Sequence, residues 1–163
     1  MSIISCKKGC CTLYTTEYTL NKTVFDYNER RLKSGVFIYD PGTDSVLIVQ
    51  SKGNLWGAPK GTMNKSDKSF VECAIREVHE ETGLIIKPEN LTRHTMIRQN
   101  VVYFYTEMSL CSVSVQNQVP DNDANGIGWI KTECLNDCVK DGTIDLNHHF
   151  CVIFLRFLNK KIR

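Results

Sequence analysis

The chain has 163 residues, of which 42% are hydrophobic and 23% are charged, and its formal net charge is +2. This length suits one domain that buries a core of its own, and the composition is that of a globular protein. No apolar run approaches the roughly 20 residues of a membrane helix, and the N-terminus lacks the apolar segment of a secretory signal. We therefore expect a cytoplasmic protein with no membrane partner.

Eight cysteines are many for a chain of this size. A secreted disulfide scaffold is shorter and richer in loops, which favours reduced thiols. The spacings Cys6-x3-Cys10-Cys11 and Cys134-x3-Cys138 also suggest zinc, but neither a CxxC pair nor two histidines at the spacing of zinc ligands accompany them. We therefore interpret the cysteines as reduced thiols and keep zinc as the alternative.

The first strands are predicted from short β-branched runs. Residues 1–30 are irregular and polar apart from one strand-like stretch near Cys11–Tyr18, and we expect an N-terminal extension that is either an extra strand or a loose arm. GVFIYD (35–40) and SVLIVQ (45–50) lie on either side of a PGTD turn, which predicts a strand, a turn and a strand.

A helix is predicted after the next loop. Ser69 is a suitable N-cap, Glu72 three residues later completes a capping box, and Thr82-Gly83 marks the end. Later strand-like stretches are residues 84–91, 101–110, 112–116 and 128–130, and further helical stretches are residues 134–140 and 147–162. Strands before and after a central helix, with a closing helix, predict one α/β domain over residues 31–163, with a mixed sheet between helices.

Three carboxylates lie together on the predicted central helix. At about 100° per residue, Glu77, Glu80 and Glu81 fall within an arc of about 100°. Such a cluster repels itself unless a cation compensates, and hard oxygen ligands suit Mg2+ or Mn2+. The alternative is a solvated acidic face. The residues expected on the opposite, core-facing side are Val71, Ile75, Val78 and Thr82.

The glycine-rich loop at residues 55–61 favours the metal interpretation. It precedes the helix, and its glycines allow the backbone to approach the helix start. Its carbonyl groups are then available to a cation, and Lys60 is available to a phosphate group.

The segment from Gly61 to REVHEETGL (76–84) resembles the signature of the Nudix hydrolases. The resemblance implies the Nudix fold and metal-dependent cleavage of a phosphoanhydride bond. It implies that Glu77, Glu80 and Glu81 bind the metal ions, that the Gly61 carbonyl adds a ligand, and that Arg76 orients the carboxylates through an ion pair.

One position departs from the Nudix signature. The signature has a glutamate six residues after the glycine and eight before the arginine. Here Asp67 lies six residues after Gly61 but nine before Arg76. We expect Asp67 to take the role of that glutamate through a loop that is one residue longer.

Within the family, the stretch from Trp56 to Gly83 resembles mRNA-decapping enzymes. DANGIGWI (123–130) resembles a segment of those enzymes in which a catalytic glutamate precedes a tryptophan by six residues, and Asp123 holds that place before Trp129. The alternative is that Asp123 is a turn residue. The resemblance implies hydrolysis of capped RNA to 7-methyl-GDP and 5′-monophosphate RNA, with Glu81 and Asp123 as candidates for the general base.

The last predicted helix resembles a C-terminal helix of decapping enzymes that helps to hold RNA. Its predicted apolar stripe is Cys151, Leu155, Leu158 and Ile162. The basic residues Arg156, Lys160 and Arg163 fall within about 60° of one another on the other side, as a phosphate-binding stripe or an ordinary solvated face.

Trp56 is a candidate for stacking on a base, as are Tyr103 and Tyr105, with a place in the core as the alternative for each.

Two other functions stay open at this point. One is hydrolysis of dinucleoside polyphosphates or diphosphoinositol phosphates, which the Pro-Lys-Gly entry to the signature also fits. The other is a Nudix-fold RNA-binding module without catalysis. Because such modules usually lose signature glutamates and this chain keeps all three, we favour an enzyme that acts on capped RNA or another nucleotide polyphosphate.

Overall fold

The computed structural model describes residues 2–16, 31–51, 54–116 and 124–162. The strands in these ranges are β1 (Ser2–Ser5), β2 (Thr12–Thr15), β3 (Lys33–Asp40), β4 (Ser45–Gln50), β5 (Leu55–Gly57), β6 (Lys60–Thr62), β7 (Arg93–Ile97), β8 (Val101–Glu107), β9 (Gly126–Lys131) and β10 (Asp145–Leu146). The α-helices are α1 (Phe70–Thr82), α2 (Thr132–Lys140) and α3 (His148–Leu158), and residues Pro88–Asn90 form a 3-10 turn.

The strands form one mixed sheet in the order β1-β2-β9-β4-β3-β8-β7, and β5, β6 and β10 pair beside this path. Strands β3 and β8 run parallel along their whole shared length. Strand β4 pairs with β3 only at Tyr39 and Asp40, whereas β6 pairs with the other end of β3, at residues 33–35. The separation of β3 and β4 at that end leaves room for β6 and for the helix that follows it.

Helices cover both faces of the sheet, so the predicted α/β architecture is confirmed. Helix α1 packs against β3, β6 and β8, while α2 packs beside β9, and α3 packs beside β5 and β7. Side chains alternate along β3: Val36 and Ile38 join a core with Val78 of α1, and Phe37 joins a second core with Phe154 of α3. This two-sided burial explains the continuous apolar run of β3.

Most of the predicted elements are present. Strands predicted at residues 35–40, 45–50, 101–110 and 128–130 correspond to β3, β4, β8 and β9, and the helix predicted at 134–140 corresponds to α2. The strands predicted at 84–91 and 112–116 are wrong. In the first, Pro88 removes a backbone donor and starts a 3-10 turn. In the second, Val113 and Val115 pack against the core around Val78 without joining the sheet.

Helix α3 is shorter than predicted and buries a different face. It starts at an Asn147 cap and ends at Leu158, where Asn159 adopts a left-handed conformation with φ 54°. The buried side chains are Phe150, Ile153, Phe154 and Phe157, whereas Leu155 of the predicted apolar stripe is 39% exposed. The aromatic side chains offer more apolar area at helical spacing than the predicted stripe, so they take the core side.

The described part of the first 30 residues contributes an antiparallel hairpin, β1–β2, and β2 pairs with β9 at the edge of the sheet. Strand β2 lies within the predicted strand-like stretch, while β1 was not predicted. Within the described residues, no helix is both long and apolar enough to span a membrane.

Candidate active site

Helix α1 begins where the sequence predicts. The Ser69 hydroxyl accepts a hydrogen bond from the backbone N–H of Glu72 at 3.2 Å. The Glu72 carboxylate accepts one from the backbone N–H of Lys68 at 2.6 Å, one residue earlier than in a standard capping box. Gly83 ends the helix with φ 77°, a conformation that glycine adopts without strain. The helix is therefore fixed at both ends by its own sequence.

The face of α1 that carries the carboxylates packs against the sheet. The buried residues of the helix are Cys73, Ala74, Glu77, Val78, Glu81 and Thr82. Val71 and Ile75, which were expected to face the core, are only half-buried. Glu77 and Glu81 are 8% and 2% exposed, so these two glutamates do not belong to a solvated acidic face.

Gly61 makes room for one of these carboxylates. A β-carbon at Gly61 would overlap the carboxyl group of Glu77, so no larger residue fits without moving the helix or the strand. The thiol of Cys73 donates to the Gly61 carbonyl oxygen at 3.7 Å, which places that carbonyl on the side of α1. The glycine of the signature is therefore required by close approach, and its carbonyl lies beside the carboxylate cluster.

Glu81 is held by the neighbouring residue of β6. Its Oε1 accepts a hydrogen bond from the backbone N–H of Lys60 at 3.2 Å. Strand β6 thus contacts Glu77 at Gly61 and Glu81 at Lys60, one turn of helix further on. The backbone of β6 therefore lies directly against both buried carboxylates and donates a hydrogen bond to Glu81.

Arg76 forms hydrogen bonds to three carboxylates of the site. Its Nε and Nη2 donate to the two carboxylate oxygens of Asp67 at 3.0 and 2.7 Å. Its Nη1 donates to Glu77 at 2.9 Å and to Glu80 at 3.1 Å. The hydrogen bonds from Arg76 hold the pKa of the Asp67 carboxyl below its usual value, and the same bonds raise the pKa of the arginine. The ion pair predicted between Asp67 and Arg76 is therefore present.

The loop that carries Asp67 accommodates its extra residue through an Asx turn. The side-chain oxygen of Asn64 accepts hydrogen bonds from the backbone N–H groups of Ser66 and Asp67 at 3.0 and 3.1 Å. In return, the backbone N–H of Asn64 donates to Asp67 at 2.9 Å. These local bonds turn the shorter aspartate towards α1.

The three glutamates and the Gly61 carbonyl fit a hard divalent cation. Carboxylate and carbonyl oxygens are the protein ligands that Mg2+ and Mn2+ prefer. Among the described residues, the three glutamates do not form a group whose ligand atoms all lie within 4.8 Å of one another. Arg76 donates to Glu77 and Glu80, while Glu81 accepts from the β6 backbone. The guanidinium thereby offsets part of the repulsion among these carboxylates.

Three cationic side chains and a histidine lie near this site. His149 of α3 is half-buried, its Nδ1 lies 3.4 Å from the Tyr103 hydroxyl, and burial lowers its pKa to about 4. The nearby positive charges of Lys60, Arg98 and Lys33 lower the pKa of His149 further. Burial and the charge of Glu81 raise the pKa of Tyr103.

We call Lys33, Lys60, Arg98 and His149 the basic patch. Only Lys60 was a candidate from sequence, because the four residues come from four separate segments and no spacing connects them.

The other predicted binding residues are placed less favourably. Trp56 is 1% exposed and packs in the core with Phe150, so burial favours the core alternative and leaves no ring face for a base. Arg156 donates to Thr95 and to the Met96 carbonyl, whereas Lys160 lies beyond the end of α3 and pairs with Asp44 at 3.4 Å. Thr95 is level with residue 35 of β3, while Asp44 contacts Tyr39.

Four residues of strand separate these two levels, about 13 Å, so the side chains of Arg156 and Lys160 do not form one helical stripe. Asp123 and Arg163 lie outside the described residues.

A sheet that supports a helix of buried glutamates against a glycine-containing strand defines a class of metal-dependent phosphoanhydride hydrolases. The profile of the NUDIX domain matches residues 29–146. The chain therefore belongs to the NUDIX family and is a Nudix hydrolase. Nudix hydrolases depend on divalent metal ions and act on nucleotide polyphosphates.

Similar proteins come from several sources. Protein 111R of Invertebrate iridescent virus 3, which carries a provisional name as a hydrolase, is 39% identical over 143 residues, or 84% of this chain and 82% of that protein. Subunit 2 of the mRNA decapping complex of Schizosaccharomyces pombe is 33% identical over 111 residues, or 61% of this chain and only 15% of the subunit.

A bifunctional NMN adenylyltransferase/ADP ribose pyrophosphatase from Francisella tularensis, complexed with AMP and a Mn ion, shares the fold with a TM-score of 0.57. It is 18% identical and is matched over 80% of this chain and 41% of that one.

Proposed function

We propose that this Nudix hydrolase removes the 5′ cap of mRNA and releases 7-methyl-GDP and RNA with a 5′-monophosphate. The observation that carries the proposal is the similarity to the S. pombe decapping subunit. It extends over 111 residues, whereas the Nudix signature itself covers about two dozen. This chain spans a small part of that subunit, so its similarity supports the chemistry of the domain rather than the behaviour of the whole subunit.

The residues of α1 are assigned to metal binding and positioning. Glu77, Glu80 and Glu81 would hold Mg2+ or Mn2+, with the Gly61 carbonyl as an additional ligand. Bound divalent cations neutralise polyphosphate charge and favour ionisation of water. Arg76 would keep the carboxylates oriented, and its bidentate bond to Asp67 would keep the guanidinium in place.

Hydrolysis requires a base and produces a defined pair of products. A carboxylate, Glu81 or Asp123, accepts a proton from the attacking water, whose oxygen forms a bond to phosphorus. The phosphoanhydride bond on the RNA side breaks, and the departing RNA phosphate carries the electron pair. Oxygen from water therefore ends in one product, and 7-methyl-GDP and monophosphorylated RNA account for all atoms.

The basic patch offers a place for the anionic substrate. Its members lie at the end of the sheet where β6 and α1 meet, and both Lys33 and Lys60 belong to strands that form the site. Lysine and arginine side chains bind phosphates with a strong dependence on salt. We therefore assign the first phosphates of the RNA to Lys33, Lys60 and Arg98, ahead of the residues at the end of α3.

The identity of the substrate is tested by assaying a panel of candidate substrates at matched concentrations. We expect the highest kcat/KM on capped RNA, with 7-methyl-GDP and 5′-monophosphate RNA as products, relative to diadenosine polyphosphates, ADP-ribose and diphosphoinositol phosphates. Higher kcat/KM on any of the small substrates would transfer the proposal to that substrate. No hydrolysis of any member in the presence of Mg2+ or Mn2+ would favour the RNA-binding module.

The RNA assignment is tested by two pairs of substitutions. The double variant Lys33→Gln and Arg98→Gln should flatten the plot of log binding constant for RNA against log salt concentration. The slope should decrease in magnitude by up to about 1.4 units, near 0.7 per phosphate contact on a single strand. Arg156→Gln with Lys160→Gln should change the slope less, because both side chains have intramolecular partners. A larger effect of the second pair would contradict the assignment to the basic patch and restore the role predicted for the end of α3.

A further inference from the structure

Four cysteine thiols, from residues outside the carboxylate site, converge at the turn of the β1–β2 hairpin. The sulfur atoms of Cys6, Cys10, Cys11 and Cys134 all lie within 4.8 Å of one another. The sulfur of Cys10 is 3.5 Å from that of Cys6, 3.7 Å from that of Cys11 and 3.5 Å from that of Cys134. Among the described residues, this is the group of ligands that lies close enough together to surround a single ion.

These separations match tetrahedral coordination. With a Zn–S bond of about 2.3 Å, the edge of a regular tetrahedron of sulfur ligands is about 3.8 Å. A disulfide would instead require about 2.05 Å between two sulfurs. The observed separations of 3.5 to 3.7 Å fall close to the tetrahedral edge. These three short separations all involve Cys10, and the other sulfur pairs lie within 4.8 Å, so the group is compact enough for one ion.

The hairpin turn is built to bring three of the thiols together. The N–H of Cys6 donates to the carbonyl of Cys11 at 3.2 Å, and the N–H of Gly9 donates to the carbonyl of Cys6 at 2.9 Å. Gly9 has φ 71°, so the turn uses a conformation that a side chain disfavours. The separation Cys6-x3-Cys10 also lies within the range seen between ligands of structural zinc sites.

The fourth thiol comes from the opposite end of the chain. Cys134 lies in the first turn of α2, near the positive end of the helix dipole. The backbone N–H of Lys131 donates to the Cys11 sulfur at 3.3 Å, an outer hydrogen bond of the kind that supports metal ligands. The cluster therefore has four ligands and an outer donor already in place.

We propose that Cys6, Cys10, Cys11 and Cys134 bind one Zn2+ ion in a structural site that fastens the β1–β2 hairpin to α2. Sulfur ligands suit zinc, whereas the carboxylates of α1 suit Mg2+ or Mn2+. With four protein ligands the ion has no open position for water, so it is structural and not catalytic. Each thiol gives its proton to solvent when it binds the ion.

The outer strand of the hairpin is the weakly held part. Strand β2 pairs with β9, but β1 has four residues and pairs only with β2 in the described sheet. A short edge strand of this kind gains stability when its end is tied to a helix. Cys6, Cys11 and Cys134 are buried, while Cys10 is exposed and gives an ion access from solvent.

The metal content of the full chain tests the proposal. The protein is purified under reducing conditions from zinc-supplemented medium, dialysed against a weak chelator and analysed by mass spectrometry for metals. We expect about one zinc per chain, as for other four-thiolate sites. Cys10→Ser and Cys134→Ser should lose most of it. Cys111→Ser and Cys151→Ser are matched controls, since both residues lie outside the cluster and are only partly buried.

Two further measurements distinguish zinc bound at the cysteines from zinc bound at the carboxylates, and loss of the site from loss of the fold. Glu81→Gln should retain its zinc, because its oxygen does not belong to the cluster. Replacement of zinc by Co2+ should give the intense absorption of tetrahedral cobalt thiolate, and Cys10→Ser should abolish it while circular dichroism shows an unchanged fold. The exposed position of Cys10 makes that variant the one least expected to disturb packing.

Three results would overturn the proposal. One is a zinc content well below one per chain in the wild type. Another is equal zinc in the wild type and Cys10→Ser. The third is a disulfide between two of the four cysteines in protein whose metal content has been shown to be negligible.

Discussion

The carboxylates of α1 and the thiols beside α2 are two clusters of potentially anionic side chains that are stabilised differently. Arg76 lies among the carboxylates and carries a positive charge to Glu77 and Glu80. Within the described residues, no cationic side chain is hydrogen-bonded to the sulfurs of the cysteine cluster, and Lys131 contacts one of them through its backbone N–H. The first cluster therefore carries its own compensating cation, whereas four thiolates at the second would have no cationic side chain of the described residues hydrogen-bonded among them.

From this contrast we expect an ion at the carboxylates to exchange with solvent and an ion at the thiolates to stay bound. Hard ligands held partly by an arginine suit ions that enter and leave with substrate, and a closed set of thiolates suits a permanent ion. The predictions below test whether the two clusters really divide catalysis and stability between them.

Removal of exchangeable ions should give the largest effect. A short treatment with EDTA should abolish hydrolysis, and Mg2+ or Mn2+ alone should restore it, since the glutamate oxygens suit these ions. Activity should be insensitive to thiol reductants. Initial rates before treatment, after treatment and after each addition provide the measurement. Hydrolysis that persists in excess EDTA would rule out the role given to α1, and recovery that requires added Zn2+ would place zinc in catalysis.

Substitution of one ligand should cost less than removal of all ions. Glu81→Gln keeps an oxygen that accepts from the Lys60 backbone but loses the charge. We expect kcat to fall by about a hundred- to a thousandfold, as for loss of one strong electrostatic contact in the transition state. Thermal unfolding should change little. Glu89→Gln, an exposed glutamate in the 3-10 turn, is the matched control, and a rate for Glu81→Gln within a fewfold of wild type would refute the assigned site.

Loss of the partner of Arg76 should reduce stability moderately. In Asp67→Asn one oxygen still accepts a hydrogen bond, but the charge that faces the guanidinium is lost. The Asp67 side chain is 4% exposed, so we expect the free energy of unfolding to fall by about 1–3 kcal/mol. Urea unfolding of the variant and of Asp145→Asn, an exposed aspartate in β10, gives the comparison. An unchanged midpoint would mean that Glu77 and Glu80 suffice to hold Arg76.

The last prediction concerns the basic patch and pH, and its effect appears only below neutral pH. The folded-state pKa of His149 is lowered from 6.5 to about 4, first by burial and then by nearby positive charges. Between these two values the unfolded chain binds a proton that the folded chain does not, so stability is present above pH 6.5 and is lost as pH falls towards 4. Wild type should lose stability relative to His149→Gln across this window. Urea unfolding at several pH values measures the difference, and parallel curves would show that His149 titrates normally.

Local sequence determined the candidate active site on α1. The spacing of Glu77, Glu80 and Glu81 follows from helical geometry, and the Ser69 cap and Gly83 define the helix that carries them. Asp67 was recognised despite its altered spacing, because an aspartate remains the nearest acceptor for Arg76. The central strands were predicted because two-sided burial requires continuous apolar runs, as along β3.

The tertiary structure decided everything that depends on residues far apart in the chain. Burial of Glu77 follows from the approach of Gly61 on another strand, and the basic patch gathers residues from four segments. The cysteine cluster joins residues near both ends of the chain, from Cys6 to Cys134. A pattern along the sequence shows which residues lie close together on the same helix or strand. Residues that are far apart in the chain come into contact only through the order of the strands and the packing of the helices.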